Sequence, residues 1–65
     1  MNLVKKSLEA AYSQQVTEIY SVFERSILIA DGDISDIQAA ETKFKLALIH
    51  ANHVLAKALT ITNEI

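Results

Sequence analysis

Residues 29–38 read Ile29-Ala30-Asp31-Gly32-Asp33-Ile34-Ser35-Asp36-Ile37-Gln38. Gly32 is the one glycine in 65 residues, and proline is absent. These two residue types are the strongest punctuators of a chain, so a decisive break is expected only here. Gly32 takes a positive φ without steric cost, which suits a position just past a helix C-terminus. Ser35 with Gln38 three residues on has the form of a capping box, with Ile34 and Ala39 at the staple positions. Asp33 is an alternative cap. Both Asp33 and Asp36 lie where a helix dipole favours negative charge.

On either side of this break the apolar residues follow one rule. Before it come Val4, Leu8, Tyr12, Val16, Ile19, Phe23 and Ile27, in steps of three and four. After it come Ile37, Ala40, Phe44, Leu48, Ala51, Leu55 and Leu59, again in threes and fours. That is the spacing of one helical face, and strict alternation is missing. The β-branched run Ile27-Leu28-Ile29 has no partner strand and reads as the end of the first helix. The sequence therefore predicts a helix over about 3–30, a turn over 31–34 and a helix over about 35–63. Each would be about 40 Å long at about 1.5 Å per residue. A short connection makes the two antiparallel neighbours. The fold class is all-α, an antiparallel two-helix hairpin, with residues 1–65 as a single domain.

The second helix carries more apolar surface than one neighbour can cover. With Leu48 facing the first helix, Leu46, Ile49, Val54 and Ile61 lie about 100° or more away. No acidic residue occurs between Glu41 and Glu64. On the first helix, Tyr20, Val22 and Ile29 also fall beside or behind the main stripe. A helix that is apolar all round is a buried helix, and the core of an isolated two-helix hairpin below about 70 residues is small. A second face is expected to be hidden against another protein or against a second copy of the chain. The candidate interface is Leu46, Ile49, His50, His53, Val54 and Ile61.

Composition narrows the function classes. Hydrophobic residues make up 51% and charged residues 22%, too apolar for intrinsic disorder. Cysteine is absent, which removes disulfides and thiolate metal sites. The net charge of −2 offers no electrostatic footprint for nucleic acid. Residues 1–30 are neutral overall, 31–36 carry −3 and 37–65 carry +1. The acidic cluster is turn and cap chemistry, since it lacks the length and the bidentate Glu of an EF-hand. Glu9 interrupts the N-terminal stretch before any signal-peptide core develops. Lys45, His50, Asn52, His53 and Lys57 interrupt the most apolar window, 44–61, so no membrane insertion is expected. The cytoplasm is the expected compartment.

No catalytic group is expected. His50 and His53, at i and i+3, share a helix side and could both reach one metal, but a closed zinc site needs four ligands. They read instead as polar members of the interface, where imidazole charge would tune association. The serines stand in no strand–turn–helix elbow. Glu18 and Glu24 read as solvated surface residues. No cofactor is expected, and the chain reads as non-enzymatic.

The stretch Ile29-Ala30-Asp31-Gly32-Asp33, followed by Phe44-Lys45-Leu46-Ala47-Leu48-Ile49 and on to Leu59, resembles the small needle-subunit co-chaperones of bacterial type III secretion systems. The resemblance covers about the last 40 residues. It implies a short cytoplasmic helical hairpin that works without chemistry. Such a protein would join a larger tetratricopeptide-like chaperone, and the two would hold an aggregation-prone needle subunit before export. His50, His53 and the low charge of the second helix depart from that pattern. The alternative is a self-associating structural protein, either a homodimeric four-helix bundle or a filament subunit.

Overall fold

A computed structural model describes residues 2–64. Met1 and Ile65, the ends of the expected single domain, lie outside the described residues. Two helices, α1 (Asn2–Ala30) and α2 (Ile34–Asn63), account for nearly all of the chain. They pack against each other as a hairpin, and the described residues contain no strand.

The turn is tight because both of its central residues adopt positive φ. Asp31 has φ 48° and Gly32 has φ 84°. The Asp33 amide donates to the Ala30 carbonyl at 2.9 Å, closing a four-residue turn. Positive φ at both central positions is the type I′ pattern, for which Asp-Gly is a preferred pair. The expectation for Gly32 holds, and Asp31 joins it because a short polar side chain tolerates the left-handed region.

The cap is Asp33, which corrects the Ser35–Gln38 box. Asp33 has extended backbone angles (φ −70°, ψ 115°), and its Oδ1 accepts from the Asp36 amide at 2.9 Å. Its carbonyl accepts from the Ile37 amide at 2.9 Å. The turn closes so early that the helix begins at Ile34, leaving Ser35 and Gln38 inside it. Asp33 donates its own amide to Ala30, so Asp36 has no reciprocal donor to take up. The staple also fails, because Ile34 becomes the first helical residue and is exposed.

The two stripes meet along their length. Phe23 and Phe44 stack at 4.5 Å between ring centroids, with their planes 27° apart. That pair sets the register, which places Ile19 level with Leu48, Tyr12 with Leu55 and Leu8 with Leu59. Every stripe residue of α2 from Ile37 to Leu59 is at least partly buried. On α1 the exception is Val4, which is exposed. The same register sets Val4 level with the last turn of α2, whose described aliphatic, Ile61, is itself 60% exposed.

The core that results is thin. The fully sheltered residues are Ala30, Ala40 and Ala51, and no large side chain is completely buried among the described residues. The Cα trace measures 48 × 15 × 7 Å, a single layer of two rods. Its radius of gyration is 15.1 Å, against about 11 Å for a compact domain of this length. Electrostatic support is concentrated at the turn. The first turn of α2 holds Asp36, whereas α1 has no acidic residue in its first turn and neither helix has a basic residue in its last.

Candidate protein-interaction surface

All six candidate residues are exposed side chains on α2, and the four aliphatics among them are 46–60% accessible. At about 100° per residue they span an arc of about 140°, from Ile49 to Val54. The hairpin divides that arc in two. Leu46, Ile49 and His53 point along the outer edge of α2, away from α1. His50, Val54 and Ile61 lie on the side that continues into one broad face of the hairpin.

That broad face carries a groove between the helices. From α1 it is walled by Gln15, Glu18 and Val22, and from α2 by Lys43 and Ala47, with Ile19, Phe23 and Phe44 as its floor. The groove encloses about 380 Å³. It continues toward the turn past Ser26 and Ala40 to Ile29 and Ala39. The floor residues belong to the stripes that hold the hairpin together. They are half-covered because one neighbouring helix shields only one side of them.

Val22 and Ile29 on α1 are 58% and 74% exposed on this face. The α2 list of six omits them. Their signal is a second row of apolar and small residues beside the main stripe: Ala11, Val22 and Ile29 on α1, then Ala47, Val54 and Ile61 on α2. A row offset by one position from the core stripe is the mark of a helix that contacts two neighbours at once.

Polar groups contribute little to this surface beyond local bonding. Among the described residues, the side-chain hydroxyls that bond do so to the carbonyl four residues back. Examples are Ser26 to Val22 at 2.9 Å and Thr62 to Ala58 at 2.8 Å. Such bonds satisfy the hydroxyl within its own helix and leave no donor aimed at a ligand. His50 and His53 are both open to solvent. No group of three or more His, Asp or Glu side chains converges among the described residues. No described helix is long and apolar enough to cross a membrane.

The arrangement is that of an unpartnered amphipathic pair. It presents an elongated trough rather than an enclosed pocket. No family model, curated protein or solved structure matches the chain.

Proposed function

We propose that this chain is a non-enzymatic assembly subunit that binds another helical protein through the exposed apolar residues of α2. The reading follows the resemblance to type III secretion needle co-chaperones. The partner would then be a tetratricopeptide-like chaperone that together with this chain shelters a needle subunit in the cytoplasm.

One observation supports it above the rest. The chain exposes 5320 Å², whereas a compact protein of 7.2 kDa exposes about 4,100 Å². The excess, about 1,200 Å², is more than the ~800 Å² that one partner contributes to a standard interface. The exposed side chains include the aliphatics Leu46, Ile49, Val54 and Ile61, which gain by leaving water.

The test is a calorimetric titration of the chain against a tetratricopeptide-like chaperone of a type III secretion system. Tight stoichiometric binding is expected. Ile49→Asp places a charge on the outer edge of α2, at a side chain already 46% exposed, so the hairpin should keep its helical signal. Binding should weaken by orders of magnitude, since burying one such aliphatic is worth about 1.5–3 kcal/mol before the charge is counted. Unchanged affinity for Ile49→Asp would remove α2's outer edge from the contact. Absence of binding by the unmodified chain would remove the chaperone reading.

A further inference from the structure

We propose that the grooved face of the hairpin is covered by a second copy of this chain, giving a two-fold four-helix bundle in the free protein. This inference takes Val54 and Ile61 of the six candidate residues into a contact between copies, and it leaves the heterotypic reading its outer-edge members Leu46, Ile49 and His53.

The two broad faces are chemically different. One holds the groove, with Val22 and Ile29 exposed beside a floor of core side chains, and Val54 and Ile61 exposed farther along the same face toward the chain ends. The other presents Glu9, Ser13, Gln38, Glu41, Lys45 and Asn52 to water, with Tyr20 and Ile49 at its margins. Only the grooved face leaves Ile19, Phe23 and Phe44 half-roofed. In a square bundle of four helices, side chains of this kind turn inward and meet those of the opposite pair.

Area and charge select the occupant. The Cα trace spans 48 × 15 Å on this face, roughly 700 Å² before side chains are added, which is of the order of the ~800 Å² that each side of a stable interface buries. A second hairpin has the same outline, so it covers the whole face and not the groove alone. A contact between identical copies must also be complementary to itself. The groove meets that condition, because its banks carry opposite signs: Glu18 on α1 and Lys43 on α2. A bank-to-bank surface of one sign would repel its own copy.

Stacking this way leaves Leu46, Ile49 and His53 on the outside of the bundle. A heterotypic contact made through those three residues is compatible with the dimer, and the two failures can be told apart because Ile49→Asp probes the first and Val22→Asp the second.

Sedimentation equilibrium of the unmodified chain should give twice the 7.2 kDa chain mass, dissociating on dilution. Val22→Asp alters a groove-side residue that is 58% exposed in the single hairpin. It should raise the dimer dissociation constant about 100-fold or more while helicity in the monomer persists. Tyr20→Asp, at a residue 54% exposed on the other face, should leave the dimer intact. If Val22→Asp does not fold, a gentler probe replaces it. The chain has no cysteine, so Val22→Cys and Tyr20→Cys each supply one thiol. At high concentration the Val22→Cys thiol should be protected from maleimide and become reactive on dilution, whereas the Tyr20→Cys thiol should react throughout. A monomeric mass at all concentrations overturns the proposal. So does a dimer in which the two thiols react alike.

Discussion

Asp33 is the residue on which the turn most depends, and its removal tests the corrected cap directly. Three of its groups are engaged: the amide with Ala30, the carbonyl with Ile37 and Oδ1 with the Asp36 amide. Asp33→Ala keeps the two backbone bonds and deletes the third. It leaves one amide at the start of α2 without its acceptor, a loss of about 0.5–2 kcal/mol. It also removes a negative charge from the helix N-terminus, worth about 0.3–1 kcal/mol. A chain of this length has a total stability of about 3–10 kcal/mol. The combined loss is a large part of that, and the thermal midpoint should fall by roughly 4–8 °C for each kcal/mol. Asp33→Asn separates the contributions, because an amide oxygen still caps while the charge is gone, and its shift should be the smaller. Ser35→Ala should be nearly silent, since Ser35 sits inside the first turn and makes no capping bond. The assay is thermal unfolding followed by far-ultraviolet circular dichroism, at one protein concentration so that any self-association is held fixed. Equal destabilisation by Ser35→Ala and Asp33→Ala would falsify the assignment and restore the Ser35 box.

Two further changes probe the turn and the core. Gly32→Ala should destabilise by about 1–2 kcal/mol for purely conformational reasons, because φ is 84° and a Cβ there meets nothing within 4 Å. Gly32→Asn should cost less in the same melting experiment, since Asn enters the left-handed region more readily. Ala51→Leu should destabilise by about 1–3 kcal/mol in chemical denaturation, because Ala51 is 1% exposed and the added atoms must separate the helices. Ala56→Leu, on an exposed side of the same helix, should stay within about 0.5 kcal/mol.

Much of this architecture is a local property and was therefore legible in the sequence. Helix periodicity needs no knowledge of distant residues, so the stripes from Leu8 to Ile27 and from Ile37 to Leu59 correspond to the buried sides of α1 and α2. A lone Gly32 in a chain without proline located the break, because left-handed backbone is a local demand. The cap was less legible. Asp33 and Ser35 both have the right chemistry, and only the closure of the turn through Ala30 determined which one starts the helix.

The candidate surface shows where local reading ends. A helical wheel of α2 alone identifies Leu46, Ile49, His50, His53, Val54 and Ile61 as too many residues for one neighbour, but it treats them as one side. The position of α1 divides them. His50, Val54 and Ile61 turn toward the broad face whose groove Val22 and Ile29 line from α1, although they lie beyond the end of that groove, while Leu46, Ile49 and His53 stay on the outer edge. That division depends on how two helices are rotated against each other, which is settled by the packing of Phe23 on Phe44 and by the alanines at 30, 40 and 51 that let the backbones approach. Periodicity along one helix records how much surface must leave water. Which residues from separate helices form a common face is a property of the pair, and no single segment of the chain encodes it.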